Sequence, residues 1–73
     1  MTYPTVDECL DRLRRAGWSI GEAGTATGWL VTGTNGENPI DAHGRTQAEA
    51  WGRACEQARA VGMLAPPRRA ERR

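Results

Sequence analysis

Apolar residues recur at Val6, Cys9, Leu10, Leu13 and Ala16, the i, i+3, i+4, i+7 stripe of a helix with one face in a core. Thr5-Val6-Asp7-Glu8 reads as a capping box at its start, and Gly17 offers a left-handed C′ residue at its end, so a helix is expected over residues 5–16. Trp18-Ser19-Ile20-Gly21-Glu22 alternates as a short strand does, and Ala23 to Gly28 reads as a flexible connection. Segments 29–34 and 38–43 flank Asn35-Gly36, a strong hairpin signal. Thr46-Gln47-Ala48-Glu49 is a second capping box, opening a helix that runs to about Val61 with Ala48, Trp51, Cys55 and Ala58 on one stripe.

A two-residue turn at Asn35-Gly36 predicts a register pairing Thr34 with Glu37, Thr32 with Pro39, Val31 with Ile40 and Trp29 with Ala42. Trp29, Val31, Ile40 and Ala42 then share one face; Leu30, Thr32, Asp41 and His43 share the other. Pro39 cannot donate to a ladder, which makes its strand an edge. The expected fold is α+β: a two-layer αβββα sandwich with both helices on one face of a three-stranded antiparallel sheet. Trp18, Ile20, Trp29, Val31 and Ile40 are expected beneath the helices. Residues 1–64 form the single domain, and residues 65–73 an Arg-rich tail that Pro66-Pro67 excludes from regular structure.

Composition places the chain among ordinary folded proteins, at 38% hydrophobic and 26% charged. All ten basic residues are Arg, and their placement is uneven. Residues 1–64 carry six Arg against eight acids, whereas residues 65–73 carry Arg68, Arg69, Arg72 and Arg73 against Glu71. A basic face in the folded part, the usual footprint of a nucleic-acid binder, is therefore not expected. The first residues have neither a basic nor an apolar leader segment, and no apolar run is long enough to span a membrane, so the expected compartment is the cytoplasm.

Candidate chemistry is sparse. His43 is the one imidazole, with Asp41 two residues away on the same strand face; the ordinary reading is an exposed strand-end histidine. Cys9 and Cys55 lie on the inward stripes of two helices and read as buried free thiols, with a disulfide as the alternative. Two cysteines and one histidine cannot fill a four-ligand zinc site, so neither metal nor cofactor is expected. Trp18, Trp29 and Trp51 supply core bulk, a base-stacking platform being the alternative. Leu30, beside Thr32 and Asp41 on the open face, offers a partner surface. Arg68, Arg69, Arg72 and Arg73, joined by Arg45 at the mouth of the second helix, offer phosphate contacts; about four such contacts give a log–log salt slope near −3.6.

Leu10-x-x-Leu13-x-x-x-Gly17-Trp18, Pro39-Ile40-Asp41-Ala42-His43 and Gln57-Ala58-Arg59-Ala60-Val61-Gly62, set in an αβββα order, resemble the HicA-type mRNA interferase toxins and the double-stranded-RNA-binding domain whose fold those toxins share. The resemblance implies that fold and contact with RNA. The toxins' Gly-Ser-His at the second strand is replaced by Thr27-Gly28-Trp29, and the lysine-rich helix start of the RNA-binding domain by Thr46-Gln47-Ala48-Glu49. Gly44, Thr46, Glu49 and Ala50 resemble the strand-to-helix junction of HicB-like antitoxins, and the chain is also similar to small uncharacterised bacterial proteins. The leading expectation is a non-enzymatic binding module making weak, salt-sensitive nucleic-acid contact through Arg45 and the tail. The competing one is a protein-interaction or regulatory module, antitoxin-like or homo-oligomeric, using the open sheet face or an edge strand. No acid–base pair or activated nucleophile supports an enzyme.

Overall fold

The computed structural model describes residues 6–66. Its elements are α1 (Val6–Arg15), β1 (Ser19–Thr25), β2 (Gly28–Thr34), β3 (Pro39–Gly44) and α2 (Gln47–Ala60). The strands form one antiparallel sheet in the order β1-β2-β3, giving the α+β, αβββα architecture that the periodicities predict. Both helices contribute to a single core on one face of that sheet.

Local chemistry fixes the helix ends. Beyond α1, Trp18 N–H donates to Leu13 O at 3.1 Å and Gly17 N–H to Arg14 O at 3.0 Å, with Gly17 at φ 94°. That is a Schellman closure, which satisfies carbonyls the helix itself leaves open. The Thr5 half of the first capping box lies outside the described residues. At α2, Thr46 Oγ1 accepts from Glu49 N–H at 3.1 Å as predicted. The reciprocal bond moves back one residue, because Glu49 Oε1 accepts from Arg45 N–H at 2.8 Å.

Two strand expectations are corrected. Ala23 to Gly28 is not a flexible connection: β1 continues to Thr25, and Thr25 pairs with Gly28 across a two-residue turn. Small residues here lack side chains to signal a strand, but they do not prevent backbone pairing with β2. The second hairpin then takes the longer loop. Thr34 pairs with Pro39, Thr32 with Asp41, Val31 with Ala42 and Leu30 with His43, a register displaced by two residues from the predicted one. Asn35 explains the displacement: its Oδ1 accepts from both Glu37 N–H (3.0 Å) and Asn38 N–H (2.7 Å), so the side chain organises a four-residue loop over 35–38. A two-residue slip preserves faces, and Val31, Ile40 and Ala42 still point to the core.

Cys9 and Leu13 from α1, Val31, Ile40 and Ala42 from the sheet, and Ala50, Trp51, Ala54, Cys55 and Ala58 from α2 form that core, with Trp18 beside them. Ile20 and Trp29 are only partly buried against it. Small residues along α2 bring the helix close to β3. Leu13 is fully buried, so its burial contributes about 1.5–3 kcal/mol, and Leu13→Ala would cost about 2–5 kcal/mol once the cavity is included. Leu64 packs on the same core, and the Met63 carbonyl accepts from Trp18 Nε1 at 2.7 Å. Arg12 Nε donates to Ala65 O at 2.8 Å and Arg15 Nη2 to Pro66 O at 2.6 Å, so residues 65 and 66 are held against α1.

Candidate functional site

An open three-stranded sheet has two free edges, and this chain treats them differently. At β3, Pro39 has no N–H to offer. Further along, the Gln57 amide of α2 makes both backbone contacts a neighbouring strand would make: Asp41 N–H donates to Gln57 Oε1 at 3.0 Å, and Gln57 Nε2 donates to Asp41 O at 2.9 Å. Arg53 Nη1 donates to His43 O at 2.9 Å. Side chains from one helix thus occupy the Asp41 N–H and C=O and the His43 C=O of this edge, and covering an edge is one of the ways a sheet is protected from unwanted pairing.

The same contacts fix which groups point outward elsewhere. Since Asp41 and His43 face away from β2, the alternation of an antiparallel ladder assigns Val31 and Gly33 of β2 to β3, and Leu30 and Thr32 to β1. Ala23 and Gly21 therefore bond to β2, and Ile20, Glu22 and Gly24 present N–H and C=O to the open edge of β1. No side chain among the described residues hydrogen-bonds to these groups. β1 has no proline, and all of it but Ile20 is exposed.

Beside this edge lies a cleft of about 520 Å³ between α1, β1 and the start of α2, walled by Val6, Leu10, Ile20 and Trp51 and rimmed by Asp7, Arg14, Glu22 and Gln47. Glu22 points into the helix layer, where Oε1 accepts from Trp51 Nε1 at 2.7 Å and Oε2 from Gln47 Nε2 at 2.9 Å. Glu22 thereby satisfies the one polar atom of a buried tryptophan and remains exposed itself.

Leu30, Thr32 and Asp41 are contiguous on the open sheet face, Thr32 directly opposite Asp41 and Leu30 opposite His43. Leu30 is half-buried, Thr32 and Asp41 exposed. Asp41 and His43 share this face without a hydrogen bond between their side chains. Arg45 is exposed at the α2 N-terminus, beside a cavity of about 270 Å³ that Thr27, His43, Glu49 and Arg53 also line. The carboxylate of Glu49 already partners Arg53 Nη2 at 3.0 Å, which offsets the positive charge there. Arg68, Arg69, Arg72 and Arg73 lie outside the described residues. Among the described residues no group of three His, Cys, Asp or Glu side chains is placed to hold a metal ion.

Cys9 and Cys55 are buried free thiols, as expected, meeting where α1 packs on α2; Cys55 Sγ lies 3.8 Å from the Cys9 carbonyl oxygen. Contact with the Cys55 thiol, then burial, pushes the Cys9 thiol well above its ordinary value. The same contact pulls the Cys55 thiol down, against burial. Trp18 and Trp51 are core residues, both with their indole N–H satisfied.

Sequence reasoning missed Gln57, Arg53, Glu22 and Gln47. Arg53 and Gln57 stand one turn apart on the polar side of a helix, where they read as solvated, and only the packing of α2 on β3 reveals their use. Comparison with known proteins adds no relative: no family model, no curated protein and no solved structure matches the chain.

Proposed function

We propose that this chain is a small non-enzymatic protein-interaction module of the cytoplasm that accepts an additional strand on the free edge of β1. The observation that carries the reading is the difference between the two edges. α2 commits Gln57 and Arg53 to closing β3, while the outward groups of Ile20, Glu22 and Gly24 are left to pair. Strand addition supplies affinity through the main chain and specificity through side chains that enter flanking pockets. The cleft beside β1 is such a pocket, with apolar walls and a charged rim.

Two substitutions test the reading. Gly24→Pro places a ring on an outward N–H without touching the ladder to β2, and a Cβ there meets Trp29 only at ordinary contact distance, 3.7 Å. Association, read by co-purification and light scattering, is expected to fall with Gly24→Pro and to survive Leu30→Asp. The reverse pattern transfers the function to the open face carrying Leu30, Thr32 and Asp41; association unaffected by both removes the sheet from the account.

A second reading, contact with nucleic acid, is supported by Arg45 and Arg53 at the α2 N-terminus, by the arginines of residues 67–73, and by the shared element order of the RNA-binding fold. It receives less support, because Glu49 neutralises Arg53 and because the body is acidic. It expects a low-salt mobility shift that is lost on deleting residues 66–73 and on Arg45→Glu. Full-length protein that gives no shift at low salt eliminates it.

A further inference from the structure

We infer that the strand added to β1 is β1 of a second copy of this chain, paired antiparallel about a two-fold axis at Gly21. The inference rests on the edge reading above and names its partner. The surface around the cleft is self-complementary in sequence order. On α1 the residues that face it are Val6, Asp7, Leu10 and Arg14; on β1 they are Ile20, Gly21 and Glu22. A two-fold axis reverses both elements at once. The midpoint of Asp7 and Arg14 falls beside Leu10, and the midpoint of Ile20 and Glu22 is Gly21. Since these positions line one cleft, one axis serves both. Asp7 of each copy then meets Arg14 of the other, Leu10 meets Leu10, and Ile20 meets Glu22. A dimer with such an isologous interface needs the same patch to be complementary to itself, which this patch is.

Hydrogen bonding selects the same register. Ile20 and Glu22 carry outward N–H and C=O groups, so pairing about Gly21 lets each exchange both with its opposite number. Pairing about Glu22 instead sets two carboxylates directly opposite, which is unfavourable. Neither Asp7 nor Arg14 has an ion-pair partner among the described residues, whereas Asp11 pairs Arg15 and Glu49 pairs Arg53. The resulting assembly doubles the three-stranded sheet and keeps all helices on one face. Only residues 19–23 of β1 pair about Gly21, a strip roughly 17 Å long, and with a helix flank of about 15 Å this falls short of the roughly 800 Å² per partner of a standard interface, so the dimer is weak and concentration-dependent.

Charge reversal tests this directly. Light scattering and sedimentation over a concentration series reaching about 1 mM are expected to show a monomer–dimer equilibrium for the wild type. Asp7→Arg and Arg14→Asp are each expected to weaken it about tenfold, because each places two like pairs across the axis. The double variant recovers the dimer. A mixture of the two single variants forms a heterodimer, since Arg at position 7 and the native Arg14 of one chain then face two aspartates of the other. Thermal melts of the isolated variants verify that each remains folded. A wild type that stays monomeric throughout, or single variants that dimerise like the wild type, overturns the inference. Should the wild type be monomeric while Gly24→Pro still abolishes binding of an extended segment from another chain, this inference falls and the edge reading stands.

Discussion

Gln57→Ala strikes at the device that distinguishes the two edges. The substitution removes the acceptor for Asp41 N–H and the donor to Asp41 O, at 3.0 and 2.9 Å. Alanine favours the helix slightly more than glutamine does, so the helix itself is not weakened. A typical intramolecular hydrogen bond contributes about 0.5–1.5 kcal/mol net, and both bonds here are exposed, where water replaces what the side chain gave. The loss is therefore about 1–2 kcal/mol. For a domain of this size each kcal/mol corresponds to about 4–8 °C, giving a melting temperature lower by about 5–15 °C. Denaturant unfolding measures the free energy, and amide exchange reads the Asp41 N–H, whose protection the variant should lose selectively. A freed β3 edge next to a free β1 edge also allows head-to-tail sheet addition, so the variant should form larger species at high concentration. Wild-type stability together with an Asp41 amide as protected as before would show that the Gln57 contacts do not hold this edge closed.

Glu22→Ala takes the acceptor from buried Trp51 Nε1 and should cost about 1–3 kcal/mol, whereas Glu22→Gln, which retains an oxygen, should cost less than half of that; equal losses in denaturant unfolding would refute the assignment. Gly44→Ala would bring a Cβ to 2.5 Å from Ala50 N, where neither backbone can give way, and should destabilise by about 1–3 kcal/mol or more, separating α2 from β3 with loss of tryptophan burial by fluorescence. The Cys9 thiol, pushed up by Cys55 and by burial, stays protonated in the fold while the unfolded chain releases its proton above the ordinary value of 9.0. The unfolded state then binds fewer protons, so stability falls as pH rises beyond 9.0. The lowered Cys55 acts in the opposite sense, but its contribution levels off above the ordinary value of 9.0, where the unfolded thiol is ionised too. Unfolding free energies measured from pH 8 upward should decline more steeply for the wild type than for the Cys9→Ala/Cys55→Ala double variant, which leaves no buried thiol to titrate, and parallel curves would refute the burial argument.

Element type and order were legible because they are short-range. The Val6-to-Ala16 stripe, Gly17 and the Thr46 cap each act within a few residues, and each operates as its residue types dictate. The sheet's inward face was legible too, since alternation survives a two-residue slip. Turn geometry was not. Asn35-Gly36 carries the signature of a two-residue loop, but the Asn35 side chain can equally organise a longer one by accepting from Glu37 and Asn38 N–H, and the dipeptide alone does not distinguish the two. β1 was under-read because Gly21, Ala23 and Gly24 contribute backbone pairing without a side-chain pattern. Edge closure was invisible for a different reason: Gln57 and Asp41 are sixteen residues apart, and a glutamine on the outside of a helix has no sequence mark that separates edge-plugging from solvation.

Geometry links the closed edge to the open one. Neighbouring strands lie about 4.8 Å apart, so the axes of β3 and β1 are separated by about 10 Å. Packed helices lie about 8–10 Å apart, nearly the same width. A helix whose side chains reach around β3 must sit close above it, as the bonds from Arg53 and Gln57 require. The second helix then covers the β1 side across the cleft, and among the described residues none of its side chains bonds to the outward groups of β1. Side chains of α2 wrap the β3 edge, none among the described residues wraps β1, and the Asp7, Leu10 and Arg14 flank of α1 lines the cleft beside that open edge, where an incoming strand and its own helix would both find contacts.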